Sequence, residues 1–188
     1  MIAGAALVAL AGCGDDDGAQ DSTTTTTTTS ATAATTTGAA GTAAPSTGTL
    51  ERAAVTAVAA VPGSVLVSIE SEHDRTWETQ VVTPDGVEHH VDVSADGATV
   101  VGTPRIDDED EADRAEHRAR VQAATLDVAA AAAAVLTEVP GGTVTELNLD
   151  TDKGTTVWEA DVIDGSGTRH EVTIDAATGV VLANSTGR

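Results

Sequence analysis

The chain has 188 residues, with 30 acidic against 9 basic side chains and a formal net charge of -21. Such an excess of negative charge repels phosphate-rich partners, and no basic patch is present, so the composition excludes nucleic-acid binding. Only 1% of the residues are aromatic, with two Trp and no Phe or Tyr, so aliphatic side chains and the two Trp must build the core.

The N-terminal residues have the features of an exported, lipid-modified protein. Residues 2–10 form a short apolar run, and Leu10-Ala11-Gly12-Cys13 resembles the bacterial lipobox, in which cleavage precedes a cysteine that becomes lipid-modified. We therefore predict a signal peptide at residues 1–12 and lipidation at Cys13. Two or more acyl chains anchor a protein stably without a spanning helix. This predicts a location on the extracytoplasmic face of the cell membrane.

Residues 13–48 are rich in Thr, Ala and Gly, with seven consecutive Thr at 23–29, and show no helical or alternating apolar pattern. Such a segment buries too little apolar surface to offset the entropy of ordering. We predict a disordered linker.

A first folded module is predicted at residues 49–103. Apolar positions at helical spacing predict a helix over 50–61, with Thr49 as its N-cap and Pro62-Gly63 as its stop. Alternating apolar residues predict strands at 65–70, 76–82 and 87–93, separated by turn sequences. Short turns favour antiparallel hairpins.

Residues 104–122 begin with a run of acids and are predicted to be a solvated, acidic connector with some helical character. A second module follows at 123–184, and its alternating residues predict strands over 144–149, 158–162 and 170–174. Its helix is predicted to begin at an N-cap, Thr125, and to contain six consecutive Ala, which favour helix and let it approach a sheet closely.

The two modules share one pattern at a constant offset. Trp77-Glu78 recurs as Trp158-Glu159, and His89 recurs as His170, each followed by alternating apolar residues. A short repeat of this kind is typical of one supersecondary unit used twice.

The second copy ends in Asp175-Ala176-Ala177-Thr178-Gly179 and, with its upstream Trp-Glu strand, resembles the PepSY domain; the first copy resembles it less fully. The resemblance implies an α+β fold of two tandem modules, each with one helix packed on a small antiparallel β-sheet. The family occurs in secreted and membrane-attached bacterial proteins and in propeptides of thermolysin-like metallopeptidases, and it implies no catalytic residues. Its motif positions imply structural roles.

Six residues are therefore expected to be structural: Trp77, His89, Trp158, His170, Asp175 and Gly179. The two His are expected to fill an aromatic position at the edge of each sheet. No metal site or cofactor is predicted, because His73 and His117 lack a partner at ligand spacing and a calcium-loop pattern fails at Lys153. No nucleophile stands in a catalytic motif.

The leading hypothesis is a lipid-anchored, non-enzymatic PepSY protein that binds another protein, such as a secreted or membrane peptidase, and restrains it. An unpaired sheet edge offers a physical route for such binding. The alternatives are a cation- or peptide-binding sensor, for which the acidic surface is suited, and a structural module of the cell envelope.

Overall fold

A computed structural model describes residues 44–187. The predicted signal peptide, Cys13 and most of the predicted linker lie outside the described residues. Three helices and eight strands are present in this range, which confirms the α+β class. In chain order they are α1 (Thr47–Ala60), β1 (Val65–Ser71), β2 (Trp77–Val82), β3 (Glu88–Val93), β4 (Val100–Ile106), α2 (Glu111–Ala123), α3 (Val128–Glu138), β5 (Thr143–Asp152), β6 (Thr155–Ile163), β7 (Arg169–Asp175) and β8 (Val181–Thr186).

The eight strands form one antiparallel sheet in the order β4-β3-β2-β1-β5-β6-β7-β8. Each half of the sheet is a four-stranded meander preceded by a helix, and the halves meet where β1 pairs with β5. Only three residue pairs form this junction. Each half therefore has the predicted helix on an antiparallel meander, the two meanders join into one sheet, and the division into two tandem domains stays a prediction.

The two halves pair their strands in the same register. Trp77 is opposite Val93 between β2 and β3, and Trp158 is opposite Ile174 between β6 and β7. A bulge interrupts β1 just after Leu66, and another interrupts β5 just after its counterpart, Val144. A bulge shifts the face to which later side chains point. The side chains of β1 and β5 therefore change faces at equivalent positions in the two halves.

The core lies between the sheet and two alanine-faced helices. Helix α1 buries Leu50, Ala53, Ala54 and Ala57, and α3 buries Ala131, Ala132 and Val135. Trp77 and Trp158 are each 1% exposed. Small side chains let the helices lie close to the sheet, and the two indoles supply much of the remaining volume.

Both predicted helix caps are wrong by a few residues. The N-cap of α1 is Ser46, and Thr49 is the third helical residue, where its hydroxyl accepts from the Ser46 backbone in a capping box. The N-cap of α3 is Asp127, whose carboxylate accepts from the Ala130 backbone N–H at 2.9 Å. Thr125 instead donates its backbone N–H to the Ala176 carbonyl, 3.0 Å away. It thus belongs to the loop before the helix.

Strand β4 crosses the boundary predicted at residue 103, and α2 occupies most of the predicted connector. Gly102 and Pro104 interrupt the apolar alternation of β4, which hid this strand from a periodicity argument. Of the helices described, none is long and apolar enough to cross a membrane alone; α2 and α3 meet that criterion only as a pair bent by 65°.

Candidate functional site

The closing turn of the second half is held by its own side chains. Asp175 Oδ1 accepts hydrogen bonds from the Ala177 and Thr178 backbone N–H groups and from the Thr178 hydroxyl. These bonds hold the pKa of the Asp175 carboxyl below its usual value. Gly179 has a φ of 74°, in the left-handed region that glycine enters without strain. Asp175 and Gly179 thus act within the turn that leads to β8.

The two tryptophans occupy equivalent places in the two halves. Trp158 also donates its indole N–H to the Leu126 carbonyl, 3.1 Å away, and so ties the α2–α3 loop to the sheet.

His89 and His170 occupy equivalent register positions but lie one strand inside the sheet, because β4 and β8 cover β3 and β7. The predicted placement at an edge is therefore wrong. His170 Nε2 lies 3.1 Å from Asp164 Oδ2, and its side chain is 19% exposed. Hydrogen bonds from Ser166, from the Thr168 backbone and from His170 hold the pKa of Asp164 well below its usual value.

The two edges of the sheet differ in how they are protected. Edge strand β4 contains Pro104, which has no N–H to offer, a bulge that includes Gly102, and Arg105, which pairs with Asp92 at 2.7 Å. Proline, bulges and charges are the usual devices that stop a strand from pairing with another chain. Edge strand β8 has the sequence Val-Leu-Ala-Asn-Ser-Thr, with neither proline nor charge, although it also contains a bulge, at Leu182. Its residues from Leu182 onward are exposed.

The outward-facing backbone groups of β8 follow from its register. The Gly187 N–H donates to the Arg169 carbonyl, so Gly187 faces β7. Hydrogen-bonded and non-bonded positions alternate along an antiparallel pair, and Thr186 and Asn184 are opposite His170 and Val172. Asn184 and Thr186 therefore direct their backbone N–H and C=O groups away from the sheet, where an added strand can bind them.

A second group of polar residues gathers beside β3, and we call it the histidine–carboxylate cluster: Glu88, His90, Asp107, Glu109 and His117. Glu88 lies between the two rings, with Oε1 3.4 Å from His90 Nε2 and Oε2 3.8 Å from His117 Nε2. Glu88, His90, Glu109 and His117 have side chains 10–15% exposed. Burial raises the pKa of Glu88, and the two neighbouring imidazoles oppose that rise.

His117 joins the cluster because α2 docks onto the turn between β2 and β3. The Arg118 guanidinium donates to the Asp85 carbonyl at 2.6 Å, and His117 Nδ1 is 3.2 Å from the Gly86 carbonyl oxygen. Gly86 has a φ of 89°, and a side chain there would overlap the Arg114 carbonyl. The sequence does not predict this cluster, because His117 is 27 residues after His90 and reaches Glu88 only through the packing of α2 on the Gly86 turn.

A third group of charges lies near the junction of the two halves. Glu146 on β5 faces Glu70 on β1 and Asp161 on β6. Burial, followed by the neighbouring carboxyls of Asp161 and Glu70, raises the pKa of Glu146 to about 7, and Arg169 opposes the rise. Arg169 pairs with Asp161.

An apolar groove of about 920 Å³ is lined by parts of α1, the α2–α3 loop and the sheet. Val55 of α1 lies on its rim and is 70% exposed, while Trp158 and Leu149 lie at its base. Nothing among the described residues fills this groove.

Comparison with known proteins gives one family match. The family described as "peptidase propeptide and YPEB domain", PepSY, matches residues 125–184, which include α3 and the strands from β5 into β8. The predicted resemblance is confirmed over this range. No curated protein sequence matches the chain.

Two solved structures are similar to this chain. CD1622 of Clostridium difficile 630, described as a lipoprotein, has 19% sequence identity over 66% of this chain and 82% of its own, with a TM-score of 0.45. The YpmB protein from Bacillus subtilis has 18% identity over 72% of this chain and 95% of its own, with a TM-score of 0.34.

Proposed function

Because residues 125–184 carry a PepSY domain, we propose that this chain is a non-enzymatic binding protein that holds an extended segment of another protein along strand β8. The observation that carries this proposal is the difference between the two sheet edges. Both edge strands contain a bulge, but β4 also has Pro104 and the Arg105–Asp92 ion pair, whereas β8 is exposed, uncharged and free of proline. An unprotected edge pairs readily with an extended peptide by backbone hydrogen bonds.

The proposed partner is a peptidase of the cell envelope or of the secreted fraction, which the bound chain restrains. The matched family takes its description from peptidase propeptides. The net charge of -21 favours a partner with a basic binding segment, because opposite charges accelerate association and reject acidic competitors.

Substitutions at Asn184 test the binding edge. Asn184→Pro removes an outward-facing N–H but leaves the inward hydrogen bonds of β8 to β7 in place. Asn184→Ala keeps that N–H and is the matched control. We expect the wild-type chain and the Asn184→Ala variant to inhibit a secreted thermolysin-like metallopeptidase of the same host with similar inhibition constants. The inhibition constant of the Asn184→Pro variant should be at least about tenfold higher, which is a loss of about 1.4 kcal/mol of binding free energy.

Two results would contradict this proposal. If all three proteins inhibit equally, binding does not use the β8 edge. If none affects any envelope peptidase and none retains one in a pull-down, the chain does not restrain peptidases, and a structural role as an envelope module is favoured.

We further propose that the chain is attached to the extracytoplasmic face of the membrane through a lipid on Cys13. Two acyl chains provide stable anchoring. Expression in a bacterial host with labelled palmitate tests this directly: the wild-type chain is expected to take up label and to sediment with membranes, and Cys13→Ser to do neither. Equal membrane retention of both would exclude anchoring through this cysteine.

A further inference from the structure

We propose that the histidine–carboxylate cluster binds a divalent transition-metal ion of the zinc type, held by His90, Glu88 and Asp107. His90 Nε2 is 3.4 Å from Glu88 Oε1 and 2.9 Å from Asp107 Oδ2. Nitrogen and oxygen ligands lie about 2.0–2.2 Å from Zn²⁺, so two ligand atoms on one tetrahedral ion are about 3.3 Å apart. The observed separations are close to that value.

The orientation of His90 favours metal binding. Its Nδ1 lies 3.6 Å from Glu78 Oε1, so a carboxylate stands behind the ring while Nε2 faces the other two carboxylates. Metal-bound histidines in proteins usually donate the distal N–H to a carboxylate, which fixes the tautomer and raises ligand basicity; Glu78 is the carboxylate placed for this role, although 3.6 Å is longer than a hydrogen bond.

His117 and Glu109 position the central carboxylate. Glu109 Oε2 accepts from the Glu88 backbone N–H at 3.2 Å, and His117 Nε2 is 3.8 Å from Glu88 Oε2. Both side chains come from the segment around α2, whereas Asp107 directly follows β4, so an ion held by His90, Glu88 and Asp107 would join β3 to the end of β4. Asp107 is 60% exposed and leaves the site open to solvent, where water can supply a fourth ligand.

The charge balance also favours a cation. Glu88, Asp107 and Glu109 bring three carboxylates together with two imidazoles, while Arg105 pairs with Asp92 and Arg118 pairs with Glu111. Imidazole nitrogen is a good ligand for Zn²⁺ and a poor one for Ca²⁺ or Mg²⁺. The mixed ligand set therefore favours a transition metal.

The second half of the sheet carries no such set at the equivalent register positions. Glu88 is opposite Val82 in the first half, and in the second half Arg169 takes the place of Glu88, opposite Ile163. Glu171 takes the place of His90. Arg169 pairs with Asp161 on the neighbouring strand. Since the same architecture holds an arginine in one half and a ligand set in the other, the fold alone does not demand the cluster.

Calorimetric titration of the full chain with zinc chloride tests the proposal. The protein carries Cys13→Ser, because a free thiolate would compete for zinc. We expect one tight site, weakened at least about tenfold by His90→Gln or Glu88→Gln, and about tenfold by Glu78→Gln. His73→Gln in an exposed turn and His170→Gln beside a single carboxylate are matched controls and should bind zinc as the unsubstituted chain does.

Three outcomes would overturn the proposal: zinc affinity unchanged by His90→Gln, zinc affinity lost with His117→Gln but kept with His90→Gln, or calcium bound as tightly as zinc. Circular dichroism without metal checks that each variant is folded. A second measurement needs no substitution in the cluster: in nitrogen-15 spectra of the histidine rings, zinc should shift the His90 Nε2 signal and leave that of His73 in place. An unshifted His90 signal at saturating zinc would also overturn it.

Discussion

Glu70 and Glu146 are opposite each other across the junction of β1 and β5, where the two halves of the sheet meet. The neighbouring pair, Ile69 and Leu147, is fully buried. One apolar contact therefore stabilises the junction next to a pair of like charges, which repel when they stand directly opposite on neighbouring strands.

This acidic pair should make stability fall as the pH rises through the range from 4.5 to about 7. The folded state retains a proton on Glu146 in this range, because its pKa is raised to about 7, whereas the unfolded chain has lost it. The contribution is complete below pH 4.5 and is lost above pH 7. Burial is the largest cause of the raised pKa of Glu146; Asp161 and Glu70 add to it, and Arg169 opposes it.

Glu146→Gln should therefore raise the free energy of unfolding at pH 8 by about 1 kcal/mol, after allowance for solvent screening, and leave it nearly unchanged at pH 4. Urea denaturation at both pH values measures this. Glu138→Gln, at an exposed position of α3, is the control. A gain of the same size at both pH values would show that burial of the amide, and not the proton, is responsible.

Substitutions at Gly86 and Gly167 distinguish the loss of stability caused by displacing α2 from the loss caused by backbone strain in the turn. They are equivalent turn residues with φ of 89° and 84°, but a side chain at 86 would overlap the Arg114 carbonyl, whereas one at 167 meets nothing within 4 Å. We expect Gly86→Ala to cost about 1–3 kcal/mol more than Gly167→Ala. Denaturant unfolding measures both.

The same pair of variants has a local readout. Hydrogen exchange in α2 should accelerate in Gly86→Ala and remain unchanged in Gly167→Ala, because only the first substitution pushes the helix from the turn. Equal costs and equal exchange would mean that α2 does not depend on this contact.

Local patterns in the sequence were sufficient to predict six of the eight strands and the two alanine-faced helices, because period and turn chemistry are local properties. The Trp77 and Trp158 strands, with their buried indoles, are clear examples. The PepSY resemblance rested on the turn from Asp175 to Gly179, and the structure explains that turn by its own hydrogen bonds.

Long-range contacts could not be predicted in this way. The pairing of β1 with β5 depends on an edge left open in both halves, and no turn joins these strands. Edge strands β4 and β8 were missed because neither shows clean alternation. The histidine–carboxylate cluster was missed for a related reason: Asp107 approaches His90 only when β4 pairs with β3, and His117 approaches Glu88 only when α2 packs on the turn that contains Gly86.

The corrected cap of α3 can be tested by two neighbouring substitutions. Asp127→Ala removes the carboxylate that accepts from the Ala130 backbone N–H and should cost about 1 kcal/mol. Thr125→Ala alters an exposed side chain and should be nearly neutral. Thermal unfolding of both variants decides between the two positions, since the opposite ranking would restore Thr125 as the cap.

Trp158 should contribute more to the free energy of unfolding than the burial of its ring alone, because its indole N–H donates to the Leu126 carbonyl of the α2–α3 loop, 3.1 Å away. Trp158→Phe keeps an aromatic ring but removes the indole N–H, so the Leu126 carbonyl loses this hydrogen bond. Trp77→Phe is the control for lost ring area, since Trp77 is equally buried and no described residue accepts from its indole. We expect Trp158→Phe to be less stable than Trp77→Phe by about 1–2 kcal/mol in urea, followed by circular dichroism. Equal losses would mean that the loop is held by the Thr125 and Leu126 backbone bonds to Ala176 alone.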